Sequence, residues 1–285
     1  MGILVFLPFA LLWYLPLFAK HRKTVREKGR YYFFAFLMGA VAFIAAVIVQ
    51  GLCNTATMNI KPTGIAYDLY GFTKVLLVVA AGEELLKFFF GNLILKKVPD
   101  LTEAGSMLIL GMTGFGFEVV ESLSAADPLG AVFRGLTALH IFFQMWMGKY
   151  WWQAQQAKQL GDRETYKQKK RKAFLTPILM HAFFDYPILR ASKLLNQPED
   201  PNQTVMIIAI VAAGAAVLFG IGCMVFLYRT AWRTLKEERA AYEASLAEAM
   251  QTAAAQDTDG TAPAEPVVSG PEDGPAANTE PPVTE

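Results

Sequence analysis

Long apolar runs separated by short polar connections fill the chain as far as Tyr228. A helix needs roughly 20 apolar residues to cross the hydrocarbon core of a bilayer. About seven segments meet that length: Gly2–Ala19, Tyr31–Leu52, Tyr70–Leu95, Ala104–Leu123, Leu129–Trp152, Phe174–Ala191 and Val205–Tyr228. The pattern predicts an all-α, polytopic membrane protein with about seven transmembrane helices. Gly2–Ala19 carries its basic cluster behind it, the reverse of a secretory signal peptide, so a retained first helix is expected.

Charge adds orientation. Lys20, Arg22, Lys23, Arg26, Lys28 and Arg30 crowd the first connection, and Lys96 and Lys97 mark the third. Lys158, Arg163, Lys167, Lys169, Lys170, Arg171 and Lys172 fill the fifth, while Arg229, Arg233 and Lys236 follow the last span. If seven helices alternate, all these clusters fall on one side. The positive-inside rule then puts the N-terminus outside and the C-terminus in the cytoplasm. A membrane domain over 1–228, a cytoplasmic juxtamembrane helix over 229–255 and a tail over 256–285 follow. The tail holds six prolines, seven acidic residues and no basic ones, a composition that predicts disorder.

Composition narrows the classes. The chain has 285 residues, 54% of them hydrophobic and 18% charged, which is more apolar than a soluble domain. No stretch joins basic and aromatic residues as a nucleic-acid surface would, so no nucleic-acid partner is expected. Cys53, read as lying in a connection, and Cys223, inside an apolar run, suit neither a disulfide framework nor a cysteine metal site.

The chemistry lies in what interrupts the apolar runs. The third segment contains Gly82-Glu83-Glu84-Leu85-Leu86-Lys87, and the fourth Gly116-Phe117-Glu118-Val119-Val120-Glu121. The fifth carries Arg134 and, near its middle, His140; the sixth carries His181-Ala182-Phe183-Phe184-Asp185. A carboxylate at the centre of a membrane helix costs about 2.5–3.5 kcal/mol, so these five sum to on the order of 15 kcal/mol if charged and deep. Groups that costly face one another or a watery cavity and mark a functional site. Spacing lets Glu83 pair with Lys87, places Glu118 and Glu121 on one face, and lets Asp185 hold one ring nitrogen of His181. Peptide hydrolysis needs a base for water, a donor for the oxyanion and an acid for the leaving amine. Those residue types are present. A nucleophile elbow and an HExxH motif are not.

Taken together, Glu83-Glu84-Leu85-Leu86-Lys87 resembles the EExxK motif of the PrsW-like intramembrane proteases, relatives of the CAAX-processing (CPBP) membrane proteases. Gly116 to Glu121 is similar to that family's GFxxxE motif, Arg134 with His140 and Gly148 to its third segment, and His181 to Asp185 to its HxxxD. The resemblance covers about residues 70–190. It implies a glutamic-type protease acting on membrane-anchored proteins within the bilayer, with cleavage of an anti-sigma factor as the best-known role. A bacterial cytoplasmic membrane is the location it implies. Carried over, Glu83 and Glu84 are the base and its partner, with Glu84 slightly favoured to touch water. Lys87 balances their charge, Glu121, His140 and His181 complete the cavity, and Asp185 orients His181. Glu118 and Arg134 support the site, Arg134 reading equally well as a snorkelling structural residue.

The resemblance implies a metal-free mechanism, so no cofactor is expected. The residue types also suit Zn²⁺, for which Glu84, His140 and His181 are the expected ligands. A proton-coupled transporter, whose acids and imidazoles would form a relay, and a non-catalytic scaffold are the readings from other classes.

Overall fold

The computed structural model describes residues 2–21, 29–60, 63–124, 138–195 and 203–258; these are helices joined by short turns, with no strand among them. The helices are α1 (Gly2–His21), α2 (Gly29–Ala56), α3 (Ile65–Lys74), α4 (Ala81–Leu95), α5 (Glu103–Ser124), α6 (Leu139–Gln159), α7 (Arg163–Leu195) and α8 (Gln203–Thr258). A π-helical segment, Val75–Ala80, joins α3 to α4 without interruption. The chain divides into two units, Met1–Tyr242 and Glu243–Glu285. The first holds everything described below. The described part of the second is the last stretch of α8, Glu243–Thr258, and the predicted tail falls mostly outside the described residues.

Four described helices are long and apolar enough to cross a membrane: Gly29–Ala56, Ile65–Leu95, Glu103–Ser124 and Met206–Ala253. The remaining predicted spans fall on α1, α6 and α7. Several boundaries differ from the sequence expectation. Cys53 belongs to the last turn of α2, not to a connection. Most of the basic fifth connection is helical, because Lys158 ends α6 and Arg163 to Lys172 open α7, leaving only a tight turn at Leu160–Asp162. Asp162 caps that start by accepting from the Thr165 backbone N–H at 3.0 Å, and the Thr165 hydrogen bonds hold its carboxyl below the usual range. The fifth span is not one continuous helix either. Its described part begins at Leu139, after Ala138 in the left-handed region (φ 45°, ψ 35°), so His140 sits in a first turn and not mid-helix.

Packing follows the membrane rule that small residues, more than large apolar ones, mark helix contacts. On α2 the buried positions are Tyr32, Ala35, Gly39, Ala42 and Ala46, whereas Phe33, Ile44, Val47 and Ile48 are at least half exposed. The exposed set is what a lipid-facing side requires. α5 and α6 form the centre and are buried along nearly their whole length. Two glycines of α5 make that possible. A Cβ on Gly114 would collide with the His140 backbone of α6, and one on Gly116 with the Phe36 backbone of α2. α4 lies against this pair and against α2, and α7 packs on α6 and on the π segment. The four elements that carry the ionisable motifs therefore meet in one place.

Candidate active site

Glu83, Glu84 and Lys87 lie in the first two turns of α4 and are all buried, which a regular helix allows because positions 83, 84, 87, 88 and 91 share one broad face. The π segment ends three residues before Glu83, with the Ala81 N–H reaching back five residues to the Leu76 carbonyl. Such wide turns recur at functional sites.

Glu84 is the hub. Its Oε1 accepts from Lys87 Nζ at 2.7 Å and lies 3.0 Å from His181 Nδ1 and 3.4 Å from His140 Nδ1. Its Oε2 accepts from the Gln144 amide at 2.8 Å, and the same amide reaches the Glu84 backbone carbonyl at 3.2 Å. The Glu84 side chain has no exposed surface. Glu83 is more open. Its Oε1 accepts from the Gln50 amide of α2 at 2.9 Å, while its Oε2 lies 3.5 Å from Lys87 Nζ and 4.0 Å from His181 Nε2.

The two histidines close the other side. Lys87 Nζ lies 2.6 Å from His140 Nδ1; the ammonium donates, so that ring nitrogen accepts and the proton sits on Nε2, which faces Glu121 Oε2 at 3.1 Å. The fully buried Ala138, left-handed despite its side chain, turns the backbone so that α6 starts at this ring. His181 Nδ1 faces Glu84 and its Nε2 faces Asp185 Oδ2, both at 3.0 Å. A neutral imidazole has one N–H, so two carboxylate contacts need a second proton within the Glu84–His181–Asp185 group. Pro177 and Pro187 bracket this part of α7; each lacks the N–H that would bond the carbonyl four residues back. The rings pack edge to face, 4.9 Å between centroids, with Phe143 stacked on His181 and the Phe117 face 3.9 Å from Lys87 Nζ.

Six predicted residues thus join Glu84 in one buried cluster: Glu83, Lys87, Glu121, His140, His181 and Asp185. Glu118 is buried on α5 one turn before Glu121. Arg134 lies outside the described residues. Sequence reading missed Gln50 and Gln144, neutral amides whose only signal is a polar side chain within an apolar helix. As for a metal, Glu83, His140 and His181 each bring one donor atom to within 4.8 Å of the others, a carboxylate and two imidazoles of the kind that hold zinc. This convergent set has Glu83 where the sequence pointed to Glu84, whose Oε1 lies 3.0 Å from His181 Nδ1 and 3.4 Å from His140 Nδ1.

The family described as PrsW family intramembrane metalloprotease matches residues 27–217, a stretch that runs from the connection before α2 into α8 and includes the whole cluster. No curated protein and no solved structure matches the chain.

Proposed function

The chain belongs to the PrsW family of intramembrane proteases, and from that premise we propose that it hydrolyses peptide bonds of membrane-embedded proteins with Glu83 as the base that activates water. The observation that carries the assignment is the contrast between the two glutamates. Every oxygen of Glu84 is engaged by Lys87, His181 or Gln144, whereas Glu83 Oε2 has its nearest donor at 3.5 Å and a side chain 10% exposed. Glu84 therefore positions the donors and Glu83 meets the water, reversing the slight preference drawn from the sequence.

In the reaction, water gives a proton to Glu83 Oε2 as its oxygen bonds the scissile carbonyl carbon. Lys87, whose reach to Glu83 Oε2 is the long one at 3.5 Å, is the N–H donor for the oxyanion, in a site from which bulk water is excluded. The proton then passes from Glu83 to the leaving nitrogen as the C–N bond breaks, yielding a carboxylic acid and an amine, between which the acid proton settles as carboxylate and ammonium. Gln50 fixes Glu83 by its other oxygen, so the base cannot rotate away. Glu83, His140 and His181 would hold a divalent metal once Lys87 releases His140 Nδ1, and it would supply a more acidic water at that position. The substrate is a membrane-anchored protein, with an anti-sigma factor in a bacterial cytoplasmic membrane as the proposed case.

The test is cleavage of single-span substrates by purified protein in nanodiscs, with bound metal quantified. Glu83→Gln is expected to lower turnover by at least 10³-fold, about 4 kcal/mol of barrier, with the fold intact. Full activity in Glu83→Gln with loss in Glu84→Gln would overturn the assignment. Zinc bound one to one, and lost with Glu83→Gln, would place the metal in the reaction.

A further inference from the structure

Away from the catalytic cluster, the C-terminal ends of α4 and α6 and the start of α5 line an open cavity of about 320 Å³. That is the size of a small-ligand site. Its walls are fixed. Trp151 packs edge-on against Phe88 and Phe174, with centroids 5.0 and 5.9 Å away, and Trp152 donates its indole N–H to the Leu101 carbonyl at 2.8 Å.

The lining is unusual for a helix bundle. Asn92, Gln155 and Gln156 turn half-buried amide side chains to the cavity, and among the described residues none of these amides has a hydrogen-bond partner. These amides are therefore free to bond a polar ligand that enters from the open side of the cavity. Lys96 contributes the cavity's positive charge, and Lys97 follows it on the surface. These residues lie at helix ends beside tryptophans, the level at which a bilayer presents its headgroups.

We propose that this cavity binds one anionic phospholipid whose headgroup is a polyol joined through a phosphodiester. Lys96 meets the phosphate, the Asn92, Gln155 and Gln156 amides both donate to and accept from the hydroxyls, and the two indoles cover the glycerol carbons. A choline headgroup offers no hydroxyl to the amides and cancels the negative charge, so it is the poor ligand of the pair. Basic pockets between helices on the cytoplasmic side are a recognised form of such sites.

Native mass spectrometry of the detergent-purified chain would test this with short-chain phosphatidylglycerol, short-chain phosphatidylcholine and free glycerol 3-phosphate. One phosphatidylglycerol per chain is expected, bound at least tenfold more tightly than phosphatidylcholine. Lys96→Ala, on an exposed side chain that the fold tolerates, and Gln156→Leu are each expected to weaken it tenfold or more. Equal binding of the two lipids, or binding unchanged in both variants, would overturn the proposal. Comparable retention of glycerol 3-phosphate would overturn the assignment to a lipid.

Discussion

Two neutral amides divide the work that the charged residues cannot do alone. Gln144 is fully buried and gives its N–H groups to the carboxylate and the backbone of Glu84, so it helps fix the hub. Gln50 touches only Glu83 and is half-buried. Gln144→Leu should therefore act on stability, costing about 1.5–3 kcal/mol for a hydrogen bond to a charged group, visible as a lower melting temperature in detergent. Gln50→Leu should leave melting nearly unchanged and lower kcat about tenfold with little change in KM, as expected when a base loses its positioning partner. The reverse allocation would refute the division. The charged members were legible in the sequence because a carboxylate or imidazole inside an apolar run demands an explanation. An amide does not, since its insertion cost is smaller and it occurs at many helix ends without function.

At the level of elements, hydropathy showed where the helices are and concealed how they begin and bend. The run Tyr70–Leu95 reads as a single span, and nothing in Val75-Leu76-Leu77-Val78-Val79-Ala80 marks its wide turns, because apolar residues suit either winding. The start of α6 was hidden for the same reason. Ala138 lies in the left-handed region, which costs an L-residue roughly 1–2 kcal/mol, and no glycine announces it. Ala138→Gly is expected to be neutral or to stabilise by up to ~1 kcal/mol, the relief being partly offset by the greater freedom glycine has when unfolded. Ala138→Val should destabilise, because a branched side chain suits neither the backbone nor the closed space, and activity should fall with the displacement of His140. Thermal melts beside cleavage assays of both variants check this; a valine variant as active and stable as the parent would show that the turn carries no strain.

The whole molecule is arranged with its polar groups inward and its large apolar side chains outward. Phe33, Ile44, Ile48, Ile208, Val211 and Leu218 are exposed by half or more, while Lys87 and Glu84 have no exposure at all. A bilayer supplies the partner that those outer surfaces lack. If the expected seven spans alternate, Thr55, at the end of α2, and Gln159, at the end of α6, fall on opposite sides of the membrane. In an otherwise cysteine-free chain in intact cells, a membrane-impermeant maleimide should label Thr55→Cys directly and Gln159→Cys only after permeabilisation. The opposite order would invert the orientation. The sequence predicts sidedness because lysines and arginines cluster in alternate connections, and the labelling order tests that prediction.

The wide-turned segment before Glu83 also bears on chain length. Hydrogen bonds that skip one residue further than in an α-helix take up an extra residue between α3 and α4 without ending the rod. The half where Asp68 meets Arg190 at 2.9 Å and the half that carries the glutamates are thus joined across a stretch that can gain or lose a residue. A chain shorter by one residue here would close the wide turns to ordinary α-helical ones, keeping α3 in place and Glu83, Glu84 and Lys87 in their mutual register. The same loss between Glu83 and Lys87 would undo the site. Insertions and deletions are thus cheap at one point of this helix and ruinous a single turn away.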